Sequence, residues 1–465
     1  MKSIILTRLQ ICFTRRLVLV LTAVLCFLAP ADLCADYYAA KNGQTPVGPY
    51  TSWVTAASSI QDAVNAAPTN GVVWVGAGRY TVPTNAVYYT STNVVYIYKP
   101  LTLRSSNGVP ASTIIDGEGK YRGICWSYAT TTTNQFLLDG LAISNCVATN
   151  AGGGIVFPYP VSGSWTVTVQ NCIISDNTAL CTTSSAYAAG GGMYVYSVAG
   201  FGVTISNCVI RNNFATNSMT GTMSQAGGIY LYTYGNKLIT GCIIEKNRSG
   251  AYGGGMYLLS AYNMMVENSV VRSNRCEHGD NNTSGGGMHL SSGIVTVRNC
   301  LICNNYGSYS GGGIYKFASV ATPENYGLLT VLNCTIASNT ASYGSALYVR
   351  RADRLSIANS IIYSNVVGVV SIYPHYFTNN WINQVEITNG VNGVGNITNG
   401  VDPRFINSAA QDYHFTDSSP CFNAGTNQDW MYNSSDLDGR KRIRYGSVDM
   451  GAYETLKDAT IYRFK

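Results

Sequence analysis

Charge is scarce in this chain: Asp, Glu, Lys and Arg make up 11% of its 465 residues, with only four histidines besides. Closely spaced aspartates, of the kind that protonate a leaving group and activate a water, are missing, which removes paired-carboxylate hydrolysis from consideration. No GK[ST] follows any glycine run, so the glycines are not phosphate loops. After the first thirty residues no apolar run reaches membrane-spanning length, and the body is not expected to span a membrane. The histidines are scattered and the cysteines recur one per repeat, which argues against a zinc site. The net charge of +6 includes Lys2, Arg8, Arg15 and Arg16; setting these four aside leaves the remainder near +2. That balance gives nucleic acid no electrostatic footing as a partner.

What the chain does have is apolar and aromatic: 46% hydrophobic residues, 48 Gly and 34 Tyr. This is too apolar for disorder and shows no G-X-Y period. Arg15-Arg16 precede the apolar run Leu17–Ala29, followed by small residues, the order of a secretory signal with cleavage after Ala31 or Ala35. An uncleaved anchor and a lipoprotein at Cys34 fit less well. The expected location is outside the cell or in the cell envelope.

Six times a glycine turn leads into an apolar residue and then an aromatic one: GGGMY, GGIY, GGGMY, GGGMH, GGGIY and GSALY, between Gly190 and Tyr348. A second register runs through Asn145, Asn171, Asn207, Gly241, Asn268, Asn299, Asn333 and Asn359, spaced 26 to 36 residues apart and mostly followed by Cys. Six residues later comes another asparagine: Asn177, Asn213, Asn247, Asn274, Asn305, Asn339 and Asn365. Alternation upstream (Val167/Val169, Val203/Ile205, Val295/Val297, Leu355/Ile357) has the period of strands. Long, loose repeats of this sort mean stacked coils. The expected fold is all-β, a parallel solenoid of about three short strands per coil, in which asparagines at one turn hydrogen-bond in a ladder. The ladder is placed on Asn145, Asn171, Asn207, Asn268, Asn299, Asn333 and Asn359. Cys146, Cys172, Cys208, Cys242, Cys300 and Cys334 occupy one repeat position and should stack as small buried hydrophobes. Cys181 with Cys276 and Cys300 with Cys303 are candidate disulfides.

Residues 59–67 (SIQDAVNAA) place Ile60, Ala63, Val64 and Ala67 on one helical face before Pro68, a helix suited to cap the open first coil. The stretch SWVTAASSIQDAVNAAPTNGVVWVGAGRYTV (52–82) resembles the opening of secreted right-handed parallel β-helix proteins with the pectate-lyase-like fold. The repeats from 145 to 365 look like their coils, and SSPCFNAG…DLDGRKRIRYGSVDMGAYE (418–454) resembles the closing module of bacterial envelope β-helix proteins. The resemblance implies a signal peptide (1–35), an N-terminal cap with first coils (36–144), β-helix repeats (145–366) and an irregular C-terminal capping module (367–465). The architecture hosts lyases, hydrolases, epimerases and non-catalytic surface proteins, so chemistry does not follow from it.

Strand alternation sends Tyr194, Tyr230, Tyr257, His289, Tyr315 and Tyr348 outward, and a second column two residues on reads Tyr196, Tyr232, Leu259, Ser291, Phe317 and Arg350. Such rings suit the apolar faces of sugars, or simply stack on one another. Four residues after the aligned asparagines lie Arg211, Glu245 and Arg272, with Lys246 and Glu267 adjacent. In a lyase acting on an acidic polysaccharide, Arg211, Glu245, Lys246 and Arg272 would supply the base and the charge partner. The alternative is an exposed ion-pair ladder. Glu277, His278 and Asp280 share one inserted loop. No metal ligand set is assigned; calcium is the one cofactor with any sequence support, through the incomplete loop fragment Asp436–Gly439. The basic run Arg440, Lys441, Arg442 and Arg444 suits packing or an anionic envelope component. The leading expectation is a binding or structural protein contacting a polysaccharide or other cell-surface component, the acidic-polysaccharide lyase being its rival.

Overall fold

The computed structural model describes residues 35–82, 92–127, 134–158, 165–182, 187–197, 200, 202–217, 223–259, 263–277, 283–291, 293–317, 327–351, 354–371, 373–387, 391–398 and 401–456. The expected leader (apart from Ala35), His278 and Asp280 lie outside them. Every strand pair among the described residues is parallel except one hairpin, Phe405–Asn407 with Asp412–Phe415.

One coil serves for all. Lys237–Thr240 forms its first face, and Gly241 turns the chain at φ +64. Ile243–Glu245 forms the second face, Lys246 turns again at φ +55, and Arg248–Ser249 makes a short third segment. Gly253, at φ +63, then leads into Met256–Leu259. The coil therefore has four strand segments rather than three, because the pair after each second asparagine forms its own ladder. Alternate residues (Ile239, Ile244, Met256, Leu258) enter one continuous core running from Ala39 to Ile382.

The two asparagine registers do different work. The expected ladder residues Asn145, Asn171, Asn207, Asn268, Asn299, Asn333 and Asn359 all hold φ between +47 and +53, the left-handed conformation that Asn and Gly tolerate best. Asn145, Asn207 and Asn268 are exposed, and the links between their side chains are uneven, 3.4 Å from Asn207 to Asn171 but 2.6 Å from Asn299 to Asn268. Asn299, Asn333 and Asn359 are buried because C-terminal residues cover them: their amides donate to the carbonyls of Ser435, Asp449 and Thr426. The fully buried, continuous ladder is the second register. Asn213 donates through Nδ2 to Asn247 Oδ1 (3.0 Å), and Asn247 donates in the same way to Asn274 (3.0 Å). Each side-chain oxygen also accepts the preceding coil's backbone N–H. Glycines pack directly on this ladder: a Cβ on Gly255 would lie 3.0 Å from Asn274 Cγ and 2.6 Å from Gly287 O.

The helix forms over Ile60–Ala66, with Ser59 accepting the Asp62 N–H as N-cap and Ile60, Ala63 and Val64 buried against the first coil. Gln61 Oε1 accepts the Tyr96 N–H (2.7 Å), which pins the helix to a sheet segment. The eleven described cysteines are all buried, and none forms a disulfide. Both candidate disulfides are therefore corrected. Cys181 and Cys276 lie three strands apart in one ladder, about 14 Å, too far for a bridge. Cys300 enters the core, whereas Cys303 faces the C-terminal residues from the opposite side of its strand. The repeating thiols donate instead to the carbonyl two residues back, as Cys172 does to Gln170 O (3.0 Å).

Parallel pairing continues past the expected boundary at 366, through His375–Thr378, Trp381–Ile387 and Ile397–Thr398. Residues 401–456 then fold back over the flank of the later coils rather than over their end. Tyr413, Phe405, Leu437 and Tyr453 pack on Leu301, Cys303 and Ala337, while Phe415, Cys421 and Met450 pack on Ile361 and Trp381. Arg442, read in the sequence as part of a basic cluster, is fully buried. It reaches Glu454 Oε1 (3.0 Å), Gly451 O (2.7 Å) and Asn333 O (3.4 Å). Burial lifts the carboxyls around it, Glu454 up to about 9, with Asp449 also raised. The folded protein thus keeps a proton that the unfolded chain would release near its ordinary 4.5. Stability from this source is full below that value and is lost as pH rises toward about 9. The thermal midpoint is expected to fall across that range, and Glu454→Gln to flatten the decline, as calorimetry at stepped pH would read.

Candidate functional site: an aromatic groove

The column Tyr194, Tyr230, Tyr257, His289, Tyr315 and Tyr348 is in register on successive coils. Its rings point away from the core yet are largely closed off from water, with Tyr230, His289 and Tyr315 only 8%, 5% and 6% exposed. The reason is the ring planes. Tyr194 and Tyr230 stack at 4.8 Å and 19°, and in the neighbouring column Tyr196 and Tyr232 stack at 4.8 Å and 28°. Rings stacked along the axis spend their faces on each other and offer a ligand only their edges.

The stack breaks at Tyr257. Its ring lies at 70° to Tyr230 and 89° to His289, with centroids 5.3 and 4.6 Å away. Beyond the break a groove of about 630 Å³ opens, lined by Tyr257, His289, Tyr315 and Tyr348. The space comes from the residue just before each glycine turn, which forms its own in-register column: Gln225, Tyr252, Ser284, Ser310 and Tyr343. Ser284 and Ser310, small where Tyr252 and Tyr343 are large, leave room above the floor. Opposite, the flank reads Leu259, Ser291, Phe317 and Arg350. Arg351, held at φ +71, lays its guanidinium over Phe317 at 5.0 Å. Ser284 Oγ and His289 Nδ1 are 2.9 Å apart. Burial pushes the imidazole down to about 3, so it is neutral at physiological pH. Burial likewise pushes the Tyr257 phenol up to about 12. The groove thus combines fixed rings, neutral hydroxyl and imidazole groups, and a cationic rim.

The charged candidates sit on a separate strand ladder. Arg211, Glu245 and Arg272 are in register, and Arg272 Nε lies 2.8 Å from Glu245 Oε2. Glu245 is buried, while Arg211 and Lys246 are exposed and Lys246 serves as the left-handed turn residue. The next positions in that column, Cys303 and Ala337, pass beneath the C-terminal residues, where the charged ladder ends. Glu267 pairs with Arg298 (2.6 Å), and Glu277 pairs with both Arg248 and Arg275. Asp436 accepts the backbone N–H groups of Asp438, Arg440 and Glu454. Among the described residues no group of three or more His, Cys, Asp or Glu side chains is placed to hold a metal ion. The sequence reading missed Tyr252, Ser284, Ser310 and Tyr343, and also His414, whose ring nitrogens contact Asp412 (2.5 Å) and Asp438 (2.9 Å).

Among the described residues no helix is long and apolar enough to cross a membrane. Residues 161–325 match the family model described as the right handed beta helix region. Among solved structures, the pectate lyase Pel9A superposes with a TM-score of 0.58 at 16% identity, over 90% of this chain and 96% of its own. A rhamnogalacturonan lyase superposes with a TM-score of 0.43 at 13% identity, over 91% and 96%. Comparison with curated proteins gives no significant match. In architecture, then, the chain is a right-handed parallel β-helix with a pectate-lyase-like fold.

Proposed function

We propose that this chain is a secreted or cell-envelope β-helix protein that binds a glycan in the aromatic groove. The observation that carries the reading is the groove that runs from Tyr252 and Tyr257 past Ser284 and Ser310 to Tyr348, floored by His289 and Tyr315. Sugar rings need apolar contact on their faces and hydrogen-bonding groups at their edges, and the groove presents both. The turned ring of Tyr257 and the serines at 284, 291 and 310 supply them, and Arg350 and Arg351 add affinity for a carboxylate or sulfate. The leader, with its basic start and apolar run, supports export. Lyase chemistry has less support, since Arg272 already spends Nε on Glu245 and no groove group joins it. Calcium keeps only the sequence support of Asp436–Gly439.

The test is titration of the mature protein against a panel of neutral and acidic glycans, with ultraviolet absorbance followed for unsaturated products. Tyr348→Ala is expected to weaken binding about fivefold, since an aromatic contact is worth about 0.5–1.5 kcal/mol. Tyr194→Ala, whose ring lies outside the groove, should leave it unchanged. Binding lost in Tyr194→Ala but kept in Tyr348→Ala would overturn the assignment, and unsaturated product lost in Arg272→Ala would establish the lyase.

A further inference from the structure

A second aromatic hollow lies at the start of the solenoid, on the other long sheet. Tyr38, Trp74 and Arg104 stand in register on the strands Tyr37–Ala39, Gly71–Val75 and Leu101–Ser105, while their neighbours Ala39, Val73 and Leu103 enter the core. The Trp74 ring is fixed on one side: the Arg104 guanidinium lies over it at 4.9 Å and is itself held by Asp139 (2.6 Å). Trp53 arrives from the loop 41–56, which is tied back on itself by Thr45 N–H to Val54 O (2.9 Å) and Val47 N–H to Thr55 O (3.2 Å). Its ring meets Tyr38 at 4.6 Å and 62° and lies against Gly76, where a Cβ would come within 3.3 Å of it. Held in this way, Trp53 is still 43% exposed. The hollow beside these rings measures about 560 Å³ and is lined as well by Asp36, Lys41, Asn42 and Ser106.

The polar groups of this hollow are unspent. Among the described residues no side-chain hydrogen bond or ion pair engages Asp36, Asn42 or Ser106, and Lys41 lies over the Tyr80 ring at 4.9 Å. A carboxylate that accepts, an ammonium that donates, and an amide and a hydroxyl that do both match the edge of a sugar, and the rings match its face. The charges of Asp36 and Lys41 offset one another, so the hollow, unlike the groove with Arg350 and Arg351, favours no anion. An extended peptide finds no strand edge to join, because the N–H groups of Tyr38 and Ala40 already donate to Tyr50 O and Ala57 O (2.9 Å each). We propose that this hollow is a second binding site, taking about one or two units of a neutral glycan. The site stands independently of the groove, since the two lie on different sheets and share no lining residue.

Neutral trisaccharides of glucose, mannose, galactose and xylose test this by calorimetric titration of the full mature chain, with trigalacturonate and trialanine as the acidic and peptide probes. At least one neutral sugar should bind. Trp53→Ala removes a partly exposed ring, so this variant should fold, and it should weaken that binding about tenfold. Asp36→Asn keeps the size of the side chain and loses its charge, and should weaken binding to a similar degree. Tyr348→Ala, in the groove, should leave it unchanged. Equal affinity in the wild type, Trp53→Ala and Asp36→Asn would overturn the inference, as would the failure of every neutral sugar to bind. Trigalacturonate or trialanine displaced from Trp53 more weakly than by any neutral sugar would support it, and tighter binding of either one there would overturn it. Binding that disappears in Tyr348→Ala and survives Trp53→Ala would leave the groove as the sole site, whereas the reverse would establish the hollow even if the groove reading fails.

Discussion

Asn247→Ala is expected to be among the most damaging single changes in this protein. The side chain is fully buried and makes four hydrogen bonds. Nδ2 donates to Ile210 O (2.9 Å) and Asn274 Oδ1 (3.0 Å), and Oδ1 accepts both the backbone N–H and the Nδ2 of Asn213 (3.0 Å each). Alanine strands a backbone N–H, a carbonyl and two amide groups where water does not reach. Each buried unsatisfied group costs about 1–3 kcal/mol, so a loss of roughly 3 kcal/mol or more is expected even after partial relaxation. The flanking glycines hold the ladder from the other side, which leaves little room for a replacement partner. Asn268→Gly, at an exposed left-handed turn one coil on, should by contrast cost about 1 kcal/mol or less, since it keeps the backbone conformation and loses a single link, from Asn299, whose amide retains Ser435 O. Denaturant unfolding of the two variants reads the difference directly. Equal midpoints would mean that the inner asparagines carry no more than the outer ones.

That contrast also shows where the sequence was legible. The repeat and the αL turns could be read from spacing, but the continuous buried ladder runs through the second asparagine of each pair, and only broken links join the first. A clue was present: Gly241 stands in the outer register, and a position that accepts glycine is needed for its backbone. The inner register, from Asn177 to Asn365, shows no such substitution, as expected where the amide itself is bonded. Outward pointing of the tyrosines followed from period two, but ring orientation does not, so face-to-face stacking could not be foreseen from Tyr194 and Tyr230. The groove was written one residue ahead of each glycine turn, where Tyr252, Ser284, Ser310 and Tyr343 alternate large, small, small, large. Large aromatics drew the eye in the sequence, whereas the hollow depends on serines. Nothing local announced the docking of residues 401–456, because Arg442 and Asn333 are 109 residues apart and share no pattern.

Docking is the subject of the second large effect. Arg442→Met should release residues 401–456 from the flank and cost roughly 3 kcal/mol or more, since each buried acceptor it leaves without a donor costs about 1–3 kcal/mol. The guanidinium bonds the Glu454 carboxyl, and it also bonds the carbonyls of Gly451 and Asn333, one on each side of the docking contact. Methionine fills much of the volume and none of the bonds. Thermal unfolding should split into an early step for residues 401–456 and a later one for the coils, with Cys303 gaining reactivity toward a thiol reagent as its cover leaves. Arg440→Ala removes a partly exposed neighbour whose pair with Asp438 (3.0 Å) is worth about 0–1 kcal/mol, and the domain should stay docked. Glu454 holds its proton up to about pH 9, so adding Glu454→Gln to Arg442→Met should change the loss little at neutral pH. A single unshifted transition in Arg442→Met would show that apolar packing of Tyr413, Phe415 and Met450 holds the domain without help from the buried arginine.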